Sequence, residues 1–288
     1  MDSSELGGFF RFLGHRVIQT QSCFWYGPRR LLFKSLPAHR IVNPTANEIA
    51  SVLIRGPALA LRYPSPANGS KPDGGMYVCS DPGYDFGSLT PNARSHTRRG
   101  LARCAIDRIG FDYLARHGYD LLADTAMRQT GGRPSISPAN WARFCRAAAL
   151  RPDIEAWGAF AENRLAAFIV GMMIDDCFYI HLQKSDTALL KYYPNNALTF
   201  EVTRNRLASG AAEVSHGQIA LAASAGLDAF KRGMGFQVKP FKERVVFHPL
   251  FRPTLWLGRG IASLMERVYP KNLFLQRVTK SLELAGGD

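Results

Sequence analysis

His181-Leu182-Gln183-Lys184, Tyr193-Pro194-Asn195-Asn196-Ala197-Leu198, Glu213-Val214-Ser215-His216 and Leu227-Asp228-Ala229-Phe230-Lys231-Arg232-Gly233-Met234-Gly235-Phe236 are four pieces of the stretch, residues 181–236, whose reading decides the fold. Their apolar spacing alternates between the period of a strand and that of a helix, so the stretch reads strand, helix, strand, helix. Both polar openings, Tyr193 to Asn196 and Ser215 to Gln218, then fall on one edge of a sheet. Helix starts on such an edge present unpaired N–H groups that attract negative charge. The stretch therefore predicts an edge that holds an anionic, phosphate-bearing ligand.

Upstream, residues 156–161, 165–174 and 177–183 are three extended runs separated by the turn pairs Glu162-Asn163 and Asp175-Asp176, which predicts an antiparallel meander. In the third run Tyr179, His181 and Gln183 alternate with Phe178, Ile180 and Leu182, giving one polar face and one apolar face. Before the meander, Gly118 and Gly131-Gly132 bracket a helix over 119–128. Ser137-Pro138 opens another helix, with Trp141, Phe144, Cys145 and Ala148 along one side and Pro152 ending it. Residues 237–247 read as a closing strand.

The first hundred residues read as a strand-rich α/β unit. Phe24-Trp25-Tyr26 and Leu31-Leu32-Phe33 are extended, with a turn at Gly27-Pro28 and the basic pair Arg29-Arg30 between them. Residues 45–55 are helical with Thr45 or Asn47 as cap, and 58–62 and 76–79 are extended around a Pro-, Gly- and Ser-rich loop over 64–75. The basic run from Asn92 to Arg103 leads into a strand over 104–109. Its Arg94, Arg98 and Arg99 would either grip phosphate or form a solvated helix face.

A 288-residue chain that is 46% hydrophobic can bury a substantial core. The longest apolar runs, 165–174 and 219–225, are too short to span a membrane. Met1-Asp2-Ser3-Ser4-Glu5 is acidic and lacks the basic start of a secretory signal, so a cytoplasmic protein is expected. Five scattered cysteines without a C-x-x-C pair support neither a zinc site nor a disulfide framework. A net charge of +13 points either to anionic partners, a phosphorylated cofactor, a nucleic acid or an acidic membrane face, or to no more than a solubility feature.

Thr125-Ala126-Met127-Arg128-Gln129-Thr130-Gly131, the helix start at Tyr193-Pro194-Asn195-Asn196 and the run from Gly226 to Phe236, taken with the element order, resemble the GNAT acyltransferase superfamily. More narrowly they are similar to the Fem-type aminoacyltransferases and their acyl-CoA-using relatives, over about the second half of the chain. The resemblance implies a mixed α/β, mostly antiparallel GNAT-type sheet flanked by helices, and transfer of an acyl group to an amine. It implies acyl-CoA as donor, with an aminoacyl-tRNA as the rival. Pro194-Asn195-Asn196 stands where that superfamily usually carries a glycine-rich R/Q-x-x-G-x-G/A loop for the donor's phosphates. By the same resemblance Phe230 packs against the donor and Lys231 offsets negative charge on it or on the tetrahedral intermediate.

Acyl transfer needs a neutral nucleophile, an oxyanion donor and a proton for the leaving group. Backbone N–H groups near His181 to Gln183 are the expected oxyanion donors, where a pantetheine arm or aminoacyl end would pair like an added strand. His181 and His216, near the ends of two splaying strands and titrating near neutrality, are candidate bases or structural histidines. Glu201 is either a further base or a helix-surface carboxylate. Gln183, Lys184, Tyr193, Asn195, Asn196 and Phe230 are the candidate donor-binding residues, with Asn195 and Asn196 also readable as helix caps. No tyrosine between Gln218 and Phe236 offers itself as the acid for the leaving group.

Beyond His248-Pro249, Leu257, Ile261, Leu264, Met265 and Val268 form an apolar helical stripe. It would lie on a membrane interface, on its own domain or on a second copy. The expected organisation is a strand-rich unit over 1–110, or partial second GNAT-like half, an acyltransferase domain over 111–250 and a helical tail over 251–288. A GNAT fold kept as a non-catalytic binding or membrane-surface scaffold is the reading from another class.

Overall fold

The computed structural model describes residues 1–29, 32–56, 58–69, 71–219 and 225–250, together with 279, 282 and 284. Its elements run α1 (Ser3–Phe12), β1 (Arg16–Gln19), β2 (Phe24–Arg29), β3 (Leu32–Leu36), α2 (Ala46–Arg55), β4 (Ala60–Ser65), β5 (Gly74–Cys79), α3 (Pro91–Leu101), β6 (Ala105–Ile109), α4 (Phe111–Thr130) and α5 (Pro138–Ala149). They continue with β7 (Ile154–Ala161), β8 (Arg164–Ile174), β9 (Cys177–Ser185), a 3-10 turn (Thr187–Tyr192), α6 (Pro194–Ala208), β10 (Glu213–Gln218), α7 (Ala225–Gly233) and β11 (Gln237–Phe247). Two compact units share them, one made of residues 1, 77–217 and 226–237, the other of 2–76, 218–225 and 238–288.

The first unit is a sheet ordered β10-β9-β8-β7-β6, antiparallel throughout except for the parallel pair β9–β10. Register fixes its faces, because residues directly opposite on paired strands point to the same side. Phe168 packs against Trp141 of α5, whereas Trp157 and Phe178 lie under Arg206 of α6, so α5 and α6 cover opposite faces. α4 joins α5 and α3 joins α6. Covered on both sides, β8 buries Leu165 through Met172 as a continuous apolar run instead of an alternating one.

The predicted helix over 119–128 is longer than its glycine bracket suggests. α4 runs straight through Gly118, where a Cβ would meet Leu114 Cδ1 at 2.8 Å and Trp141 Cζ2 at 3.0 Å. Gly118 is the close-approach point that seats Trp141, not a terminus. Gly131, at φ 66, is the left-handed cap that ends the helix. Ser137 caps α5 as expected, its side chain accepting from the Asn140 N–H.

The second unit is a sheet ordered β1-β2-β3-β4-β11, with β3–β4 parallel and the other pairs antiparallel. Thr45 and Glu48 form a reciprocal capping box at α2, so Thr45 and not Asn47 is the cap. The same device, Asp2 with Glu5, starts α1, which the sequence reading passes over. Trp25, Phe33, Val52 and Leu61 centre the core. The turn expected at Gly27-Pro28 is instead a register shift between Tyr26 and Arg29 inside β2. A cavity of about 390 Å³ lies between α2, β4 and β11, with Ile49, Leu53, Tyr63, Arg244 and Val246 in its lining.

This division differs from the linear one expected from sequence at 110 and 250, because the chain returns: Lys242 to Phe247 of β11 pair with the whole of β4. The apolar stripe expected from Leu257 to Val268 lies outside the described residues. Among the described residues no helix is long and apolar enough to cross a membrane, and all five cysteines are buried free thiols.

Candidate active site

β9 and β10 begin as partners and then part. Cys177 pairs with Glu213, Phe178 with Val214 and Tyr179 with Ser215, and the pairing stops there although β9 continues to Ser185 and β10 to Gln218. On its other edge β9 changes register with β8 at the same level: Gly171 faces Ile180, but Val170 faces Leu182. His181 is the extra residue of a β-bulge, which bends and twists the strand that carries it. The strands expected to splay near His181 and His216 stop pairing there.

The bulge also changes which residues share a face. Tyr179 stands opposite Met172 while Gln183 stands opposite Ile169, so the two point to opposite sides of the sheet. The polar face expected from Tyr179, His181 and Gln183 therefore does not exist. His181 stacks on Phe144 of α5, with ring centroids 6.0 Å apart, and Lys184, opposite Phe168, belongs to that face too. Gln183 and His216 meet on the α6 face. The two histidines do not converge.

Gln183 is the hub of that second face. Its Nε2 donates to Asn195 Oδ1 at 3.2 Å and to Thr199 Oγ1 at 3.0 Å, so its Oε1 is left to accept from His216 Nε2 at 2.7 Å. His216 is thereby fixed as the tautomer protonated on Nε2. Asn195 in turn donates from Nδ2 to Ser185 Oγ, which also accepts from Arg128. Side chains from two strands and a helix thus bridge the gap that the backbones leave.

Titration near neutrality is not what this packing gives. Burial, followed by the Lys231 charge, pulls the His216 imidazole down to about 3, and burial with Lys184 pulls His181 down to about 4. Both rings are neutral at pH 7. His216 serves as a hydrogen-bond donor that fixes Gln183, and the edges of Phe230 and Phe236 pack around it.

Lys231 is drawn in from α7. It is only 6% exposed, and its Nζ donates to the His216 carbonyl at 2.6 Å, a group that β9 no longer pairs. The same Nζ sits 4.5 Å from the centroid of the Tyr77 ring. Burial pulls the lysine down to about 8, partly opposed by Asp228. Asp228 accepts from the Tyr77 hydroxyl and pairs with Arg232 one turn on.

Most amides around the start of α6 are already engaged. The N–H groups of Thr187, Ala188, Leu189, Tyr193, Asn196 and Ala197 all donate to protein oxygens, and Pro194 has none. Tyr193, at φ 57, is the cap residue, stacked on His96 with centroids 4.2 Å apart. A Cβ on Gly100 of α3 would meet its carbonyl oxygen at 2.7 Å, so α3 is pressed onto this turn. Asn195 and Asn196 do not cap the helix: one reaches Gln183, the other donates to Met234 Sδ. Glu201 is taken by Arg204 on its own helix and stands apart from the cluster.

Of the candidates read from the sequence, the structure brings Gln183, Asn195, His216, Phe230 and Lys231 together, and Thr199, Ser185, Tyr77 and Asp228 join them without having been among those candidates. Thr199 follows Asn195 by four residues and shares its helix face, a signal available in the sequence. Nothing local marks Tyr77, which reaches Lys231 from a strand more than a hundred positions away.

No protein-family model and no curated protein matches the chain. Among solved structures its fold is similar to that of FemX, with a TM-score of 0.61 at 11% identity over 88% of this chain and 98% of that one. It is also similar to the DUF2156 C-terminal domain of a protein assigned as a lysylphosphatidylglycerol synthetase from Agrobacterium fabrum, with a TM-score of 0.56 at 12% identity over 84% of this chain and 87% of that one. L-PGS from Bacillus licheniformis gives 0.53 at 12% identity over 84% and 91%. At these identities the likeness is one of fold. The chain has the fold that FemX has.

Proposed function

We propose that the protein transfers an aminoacyl group from an RNA-borne ester to the amine of an acceptor. The observation that carries this reading is the parting of β9 and β10 in a Fem-type fold, with the Lys231 ammonium held at the carbonyl where the pairing ends. A carbonyl donor lying along the free edge of β9 would find backbone N–H groups for its developing oxyanion. The amine attacks, the C–N bond forms and the ester C–O bond breaks. Lys231 hands its proton to the departing oxygen and regains one, through water, from the ammonium of the new bond. Gln183, clamped by His216, Asn195 and Thr199, keeps the gap at fixed width.

We place an RNA ester ahead of the expected acyl-CoA donor because the Tyr193, Asn196 and Ala197 amides at the start of α6 are bonded to protein oxygens. An RNA donor is supported by α3. Arg98, Arg99 and Arg103 are exposed, lie over Phe86, Tyr193 and Tyr192, and have no carboxylate partner among the described residues. Guanidinium groups resting on rings remain free to donate to phosphate.

The test is transfer of radiolabel from a mixture of aminoacyl-tRNAs to amine acceptors, run beside acyl-CoA thioesters. Transfer from the esters, lowered about 100-fold by Lys231→Ala, is the expected result. Transfer from thioesters alone overturns the donor, and no transfer from either overturns the reading.

A further inference from the structure

Lys231 is a buried cation with an unusual set of neighbours. The titratable and charged groups around it are His216 on β10, Tyr77 on β5, and Asp228 and Arg232 on α7 itself. Of these only Asp228 carries a negative charge. Placed three residues before Lys231 on one helix, it is at the spacing where a carboxylate and an ammonium normally pair. They are not paired: the carboxylate is engaged by the Tyr77 hydroxyl on Oδ1 and by Arg232 on both oxygens, while the ammonium turns to the His216 carbonyl and the Tyr77 ring.

We propose that Tyr77 is a positioning residue for Lys231, its ring face receiving the ammonium while its hydroxyl holds the Asp228 carboxylate away. One side chain thus supports the charge and removes the counter-ion that would lock it. The ring attracts a cation through its quadrupole without competing for its protons. A direct carboxylate partner would hold the proton more firmly. Lysine in this setting can both meet a developing oxyanion and release a proton to the leaving oxygen. The proposal rests on the transferase reading for its consequence, but the geometry it invokes is a property of the protein alone.

The experiment titrates Lys231 directly. The full chain, labelled with ¹⁵N at lysine Nζ, is followed by NMR against pH, the Lys231 signal being assigned by its loss in Lys231→Ala. Tyr77→Phe keeps the ring and leaves the carboxylate held by Arg232 alone, so it swings toward the ammonium and the midpoint moves up by about one pH unit. Asp228→Asn, at a half-exposed site that tolerates the change, moves it down. In the double variant Tyr77→Phe adds nothing to Asp228→Asn, because the hydroxyl then has no carboxylate to hold. A merely structural Tyr77 gives no such opposite shifts. An unchanged midpoint in Tyr77→Phe, or the same upward shift with and without Asp228, overturns the proposal. If neither aminoacyl esters nor thioesters react with the wild type, the function falls while the titration still decides the role of Tyr77. Where turnover is present, the limb of the pH profile of kcat/KM that belongs to Lys231 moves in the same directions.

Discussion

Gln183 satisfies three polar groups at once, and removing its amide strands them. Gln183→Leu should lower unfolding free energy by about 1–3 kcal/mol, because His216 Nε2–H and Asn195 Oδ1 are left buried without partners. Urea denaturation with an unchanged m-value checks this. His216 makes a second expectation at this scale. Its folded value, near 3, lies below that of the unfolded imidazole, so between about pH 6.5 and 3 the unfolded chain binds the extra proton and stability falls as pH falls. His216→Gln should flatten the melting temperature over that window, and an unaltered acid slope would place the protonation elsewhere. Much of this cluster is legible in sequence: Gln183, Asn195 and Lys231 stand at strand or helix ends, where polar residues interrupt an apolar pattern. The partners that set their chemistry are not legible, since Tyr77 and Asp228 act through a contact that only folding creates.

At the scale of the element, β9 decides the site. Its strand character is plain from alternation, but a period-two pattern holds only while pairing is regular. One extra residue at His181 reverses it, and no composition signal marks a bulge between two apolar neighbours. Opposite the bulge sits Gly171, where a Cβ would lie 2.0 Å from Phe178 Cζ, inside a fully buried ring. Gly171→Ala should therefore destabilise the protein by about 1–3 kcal/mol, as overpacking of a closed core does. A calorimetric melting temperature equal to that of wild type would show that the strand can give way there. Gly118 teaches the same lesson in a helix: glycine reads as a terminus, yet here it marks the closest approach of two helices.

For the whole molecule, a charge of +13 gives a sign and not a partner; the proposed RNA partner rests on the arginines of α3 and of the turn that follows it. Replacing Arg98, Arg99 and Arg103 together by Gln should reduce the slope of log K against log salt for a tRNA-sized RNA by about three, near one for each lost phosphate contact. Fluorescence anisotropy across a salt series measures it. Equal slopes would remove α3 from the RNA-binding surface, and retention on anionic liposomes in place of RNA would reassign it to a membrane. The division into units was not legible as a cut in the sequence, because β4 and β11 pair across the chain: Arg62 reaches Glu243, 181 residues on. That pairing has a consequence for biosynthesis. While the ribosome is still adding the last strand, β4 waits with an open hydrogen-bonding edge, a sticky surface of the sort that invites wrong neighbours. Nascent chains stalled before Gln237 should thus depend on chaperones and precipitate without them, and release past Phe247 should end that dependence.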